Sequence, residues 1–150
     1  MNPEFNLVCD MIKNIGHIIE DPNENFPWPS ALVFLDTRRT QRVAIAFSDK
    51  KHFGLSKVSL LAIAYAGPED VDPSVIRECL ALSSLASMNS QESGDWSYIR
   101  LENGTNLFGY GIIVPVTNKL IIEDLAKAII DIAETADRGE QMISGDQDNF

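Results

Sequence analysis

The segment from Trp96 to Arg138 constrains the fold most, because a strand, a turn, a second strand and an amphipathic helix follow one another there in close succession. Trp96-Ser-Tyr-Ile-Arg-Leu101 and Leu107-Phe-Gly-Tyr-Gly-Ile-Ile-Val114 are rich in aromatic and β-branched residues, which suit a pleated, half-buried surface. Between them, Glu102-Asn-Gly-Thr-Asn106 offers residues tolerant of positive φ, so the pair reads as a β-hairpin. From Asn118 the apolar period becomes helical. Ile121, Leu125, Ala128, Ile129, Ile132 and Ala136 share one face, and Lys127, Asp131, Glu134 and Arg138 share the other. Thr117 and Asn118 stand where N-caps belong, Glu123 and Asp124 lie at the positive end of the helix dipole, and Arg138 followed by Gly139 marks the expected close. Ile130 breaks the pattern, projecting between Lys127 and Glu134 on the side expected to be wet. It is either an ordinary exposed apolar residue or a contact with a second chain.

The preceding segments supply packing partners for this unit. Phe5, Val8, Cys9, Ile12 and Ile15 have helical spacing, and Gly16 follows where a helix C-cap needs positive φ. Ile18 and Ile19 open an extended stretch. Asp21 to Pro29 then holds three prolines and reads as a long loop carrying Phe26 and Trp28, two rings that either fold back over the core or meet a partner. Ala31–Leu35 and Gln41–Phe47 flank the polar turn Asp36–Thr40, and the alternation of Val43, Ile45 and Phe47 places one sheet face in the core. After Ser48–Gly54, the apolar run Val58–Tyr65 completes a three-stranded antiparallel meander. Gly67-Pro68 breaks the chain. Asp72 and Pro73 then open a second helix with the stripe Val75, Cys79, Leu82 and Ala86, which fades at Met88-Asn89. Beyond Gly139 a polar, acidic tail is expected to fray. The expected order is α-β-β-β-α-β-β-α: one α+β domain spanning 1–150, with helices packed on an antiparallel sheet.

Charge narrows the partners. Lys and Arg number 12 against 22 Asp and Glu, a net charge of -10 that repels phosphate backbones and anionic membranes. The basic groupings, Arg38-Arg39 with Arg42 and Lys50-Lys51-His52, read as polar turns or strand ends with no interleaved aromatics. Neither nucleic acid nor membrane is therefore an expected partner. The opening Met-Asn-Pro-Glu-Phe lacks the basic-then-apolar pattern of a signal peptide, so a cytoplasmic location is expected. Cys9 and Cys79 fall on apolar helix faces, as buried free thiols do, and Asn103-Gly-Thr105 reads as a turn.

Catalytic chemistry is sparsely represented. His17 and His52 sit in different loops with no His, Cys or carboxylate at metal-ligand spacing, which leaves them structural or solvated roles. Gly109 and Gly111 lie inside a strand and lack the strand-to-helix setting of a dinucleotide site. They mark a bend or close helix packing. No Walker loop, nucleophile elbow or zinc spacing is present, and no catalytic residue, metal or cofactor is assigned. Two classes of function remain: a non-enzymatic protein-binding module, or a small-molecule sensor with a pocket between sheet and last helix near Trp96, Tyr98 and Tyr110. An enzyme that uses scattered acids is a third, weaker reading.

Three features carry a resemblance to a known group: the second helix ending Leu85-Ala-Ser-Met-Asn89, a hairpin with an Asn-Gly turn, and a last helix closing Ala133-Glu-Thr-Ala-Asp137-Arg-Gly-Glu140. From Phe5 to Glu140 the chain resembles the type III secretion chaperone-like fold. Within that fold it is most similar to the YbjN-like proteins described as sensory transduction regulators. The resemblance implies a homodimer that binds extended segments of a client protein along apolar patches, with no catalytic residues. The Pro22–Pro29 loop departs from a dedicated secretion chaperone. The residues expected to meet a partner or a second copy are Phe26, Trp28, Leu107, Tyr110, Ile113 and Ile130, with the strand from Leu107 to Ile113 as a whole.

Overall fold

The computed structural model describes residues 3–24, 26–36, 38–52, 55–89, 94–116 and 122–144. Three helices and six strands follow the order α1 (Pro3–Asn14), β1 (Ile18–Glu20), β2 (Ser30–Phe34), β3 (Thr40–His52), β4 (Leu55–Gly67), α2 (Pro73–Asn89), β5 (Asp95–Arg100), β6 (Asn106–Val116) and α3 (Ile122–Ser144). The strands form one antiparallel sheet in the order β1-β2-β3-β4-β6-β5. The α+β class holds. The meander has four strands rather than three, because Ile18–Glu20 pairs with Leu32–Ser30 at the edge of the sheet. Most of Ser48–Gly54, expected to separate two strands, instead continues β3 as far as His52.

Local chemistry sets the element ends. Gly16 adopts φ +107° and closes α1 as a Schellman motif: Gly16 N donates to Lys13 O at 3.0 Å and His17 N to Ile12 O at 3.4 Å. Asp72 caps α2, its Oδ1 accepting from Ser74 N and Ser74 Oγ, both at 2.9 Å. The backbone bond from Ser74 holds the Asp72 carboxyl below the usual range, aided by the hydroxyl. In the β5–β6 hairpin Gly104 has φ +87°, while Leu101 N donates to Thr105 O at 2.8 Å.

One face of the sheet carries the main core. Val43, Ile45, Leu60, Ala62 and Phe108 point to this face and meet Val8 and Ile12 of α1, Cys79 of α2, and Leu125, Ile129 and Ile132 of α3, all buried. Each fully buried Leu or Ile contributes about 2 kcal/mol through apolar area removed from water. The stripe expected for α3 is the buried one, although Ile121, Thr117 and Asn118 lie outside the described residues, as do the side chains of Phe47, Leu82 and Ala86. A bulge between Ile63 and Tyr65 turns Ala64 and Tyr65 both toward the helices. The Gln41 side-chain amide donates to the Ile63 carbonyl at that irregularity.

Two expectations about α3 are corrected. Gly139 does not close the helix, which runs on to Ser144. It is buried, and a Cβ there would lie 2.8 Å from Cη2 of Trp96 and 3.3 Å from Cβ of Ala64. The glycine thus serves close packing; residues 139 to 144 of the expected tail are helix, and 145 to 150 lie outside the described residues. Ile130 is half-buried and packed against the core rather than on a wet face, since α3 also touches α1 and α2 and so exposes a narrower stripe. The spacing of Gly109 and Gly111 reflects close approach as well, but to β4 rather than to a helix. A Cβ on Gly111 would lie 2.6 Å from Leu60 O, and one on Gly109 would collide with Ala62 O.

Candidate functional site

All three helices pack on the first face of the sheet, and the second is covered only in part. Cross-strand register assembles this second face in rows. Ala44, Leu61, Gly111 and Asp95 form one row, while Ala46, Ser59 and Ile113 form the next. Alanine, serine and glycine keep the floor low; Trp28, Leu61, Ile99 and Ile113 rise around it. The result is an open, mainly apolar groove of about 490 Å³ that crosses four strands from Trp28 to Asp95. Ile113 is 62% exposed and forms the most open apolar wall.

The Pro-rich loop builds the other end. Phe26 is buried against Ala44, Ile63 and Leu107, and Trp28 meets it edge-on at 5.7 Å between ring centroids. The Arg42 guanidinium lies 5.7 Å from the centre of the Phe26 ring and binds Glu20 at 2.7 Å. Asn23 N donates to Phe26 O at 2.9 Å and Asn23 Oδ1 accepts from Phe26 N at 3.0 Å, which closes the loop beneath its aromatic pair. The same prolines end β2. Ile45 N donates to Pro29 O at 2.8 Å, but Pro29 and Pro27 have no N–H to continue the ladder, and the β2–β3 register stops at Ser30 opposite Ala44. Among the described residues, β3 from Ala46 to His52 therefore has a strand on one side only.

Of the residues expected to meet a partner, Trp28 and Ile113 line the groove, and Phe26 and Leu107 form the buried cluster beside it. Tyr110 and Ile130 lie on the helix side. Tyr110 is buried, its hydroxyl accepting from Gly94 N at 3.0 Å. The pocket expected near Trp96, Tyr98 and Tyr110 is occupied by packed rings: Trp96 stacks on Phe108 at 4.8 Å and meets Tyr110 at 5.3 Å. Trp96 belongs to the core because α3 presses on it at Gly139. Tyr98 is exposed, its hydroxyl donating to Asp70 Oδ1 at 3.1 Å. The groove lies on the opposite side of the sheet.

Several polar groups sit where sequence reasoning had not placed them. Arg39, read as part of a polar turn, reaches α3: its Nε binds Asp137 Oδ1 at 2.7 Å and its Nη2 binds Glu140 Oε1 at 3.1 Å. Glu140 is completely buried. Asp137 Oδ2 also accepts from Gln141 Nε2 at 2.9 Å. The signal was present in the sequence, since Asp137 and Glu140 each stand four residues beyond an alanine of the buried face, Ala133 and Ala136. His17 is buried, and among the described residues neither ring nitrogen has a hydrogen-bond partner; desolvation pushes its pKa down. The His52 side chain lies outside the described residues.

Cys9 and Cys79 are buried and free, and burial pushes both thiols up, that of Cys79 to about 11, which disfavours the reactive thiolate. Among the described residues, no three His, Cys, Asp or Glu side chains gather as metal ligands, and no helix is long and apolar enough to cross a membrane. The class thus defined is an α+β protein with an open six-stranded antiparallel sheet, helices on one face and an apolar groove on the other. Comparison of the chain with protein-family models, curated proteins and solved structures finds no match.

Proposed function

We propose that this protein is a non-enzymatic binding module, chaperone-like or regulatory, that holds an extended segment of a partner protein on the uncovered face of its sheet. The observation that carries this reading is the open apolar groove from Trp28 to Asp95. A small-molecule site is usually a closed pocket that buries most of its ligand. A shallow groove with apolar walls suits side chains presented by a peptide, and the one-sided stretch of β3 beside it offers main-chain groups to an added strand. The resemblance to YbjN-like, type III secretion chaperone-like proteins points the same way and adds a cytoplasmic homodimer, whose assembly light scattering over a concentration series reads directly.

The direct test is the anisotropy of a fluorescein-labelled extended peptide, acetyl-Lys-Leu-Val-Leu-Val-Lys-amide, titrated with wild-type protein, Trp28→Ala and Ile113→Lys. A large aromatic at a binding surface is commonly worth about 2 kcal/mol or more, so Trp28→Ala is expected to weaken binding at least tenfold. Ile113→Lys places a charge on the apolar wall and weakens it similarly. Saturable binding that ignores both substitutions refutes the assignment of the groove.

A further inference from the structure

Asp95 is the one charged side chain among the described residues that line the groove. It is exposed, and among those residues its carboxylate has no hydrogen bond and no ion pair. Among the described side chains of this face, Arg42 is already matched, binding Glu20 at 2.7 Å. The groove thus ends on an unneutralised negative charge, with the hydroxyl-bearing Ser97 two residues along β5 on the same face. Behind it stands a chain of net charge -10. A second copy brought onto this face would set carboxylate against carboxylate and one acidic body against another, whereas a basic partner is drawn in by the same field.

The groove also limits what fits. Four strands spaced about 4.8 Å apart make it about 14 Å long, the span of about four extended residues. Resting on the proposed role of the groove, we infer that its occupant is a short extended segment of a basic partner protein, apolar along its length and ending in a Lys or Arg that seats on Asp95. The apolar side chains lie among Trp28, Leu61, Ile99 and Ile113, and the cation reaches the carboxylate at the β5 end. Such a contact at an exposed aspartate confers selectivity rather than most of the affinity.

The test uses three labelled peptides of one design, acetyl-Xaa-Leu-Val-Leu-Val-Xaa-amide with Lys, Gln or Glu at both ends, against wild-type protein, Asp95→Asn and Asp95→Lys at low and high salt. An exposed ion pair predicts that wild type binds the Lys peptide about twofold to fivefold more tightly than the Gln peptide, and the Glu peptide more weakly than either. Asp95→Asn flattens the Lys-over-Gln preference, Asp95→Lys inverts the series, and high salt reduces every charge effect. Equal binding of the three peptides by wild type, or a preference that survives Asp95→Asn, overturns the charge assignment and leaves the groove reading standing. Absence of saturable binding by all three overturns both.

Discussion

Arg39→Met removes the cation that holds Asp137 and Glu140 beneath α3, and its cost follows from the geometry. Arg39 makes bonds of 2.7 and 3.1 Å to carboxylates whose side chains are 6% and 0% exposed, while its own is 16% exposed. Two charge-assisted hydrogen bonds are worth about 1.5–3 kcal/mol each, and stranding a buried charge costs about 3–5 kcal/mol. The two routes agree near 4 kcal/mol, roughly. For a chain of this size that lowers the Tm by about 8–16 °C. In urea, with a slope of about 2 kcal/mol per molar, the midpoint falls by about 2 M. Far-UV circular dichroism measures the helices, and the emission of Trp96, which packs on α3 at Gly139, should report the same transition. Because the pair is shielded from solvent, 0.5 M NaCl should leave the difference nearly intact. Replacing all three groups together, as Arg39→Met with Asp137→Leu and Glu140→Met, should recover most of the loss, since no charge then remains buried. A loss under about 1 kcal/mol, or one abolished by salt, would show that water reaches these carboxylates and would refute the reasoning.

Two further outcomes test the packing. His17 has a pKa lowered by burial, so its neutral form is the folded one. Its stabilising contribution is complete above the unfolded value near 6.5 and is lost as pH falls below that toward the lower folded value. Urea midpoints measured between pH 7.5 and 5 should therefore fall more steeply for wild type than for His17→Phe, which also removes two unpartnered ring nitrogens; parallel slopes would count against the assignment. Gly139→Ala should destabilise by about 1–2 kcal/mol despite a helix propensity gain of about 1 kcal/mol, because the new Cβ meets the Trp96 ring at 2.8 Å and that ring is stacked on Phe108. A rise in Tm for this variant would mean that the indole yields.

Legibility varied with the range of the signal. The Schellman close at Gly16, the Asp72 cap and the Asn103-Gly104 hairpin could all be read in advance, because each is decided within about six residues. The end of α3 misled for the same reason. Arg138-Gly139 has the local signature of a helix stop, but Trp96 on a distant strand needs a side chain without Cβ at that point, and the helix continues. β1 holds only three residues, too few for a periodic pattern, and exists because β2 offers it an edge. The aromatic positions 96, 98 and 110 suggested a pocket, yet their alternation alone could not say that the rings of Trp96 and Tyr110 would pack against Phe108 under α3.

Periodicity, turn residues and caps by themselves determined the α+β class, most of the strands, the three helices and the buried stripe of α3, since each depends on neighbours along the chain. Tertiary structure alone decided the groove and the Arg39 anchor. Ala44, Leu61, Gly111 and Asp95 form one row only after β3, β4, β6 and β5 become neighbours in that register. A register slip of a single residue would send each of those side chains to the helix face. Arg39 likewise becomes a partly buried anchor only when the β2–β3 turn is brought to the last turns of α3. Such sites depend on residues far apart in sequence, and strand order and packing bring them together.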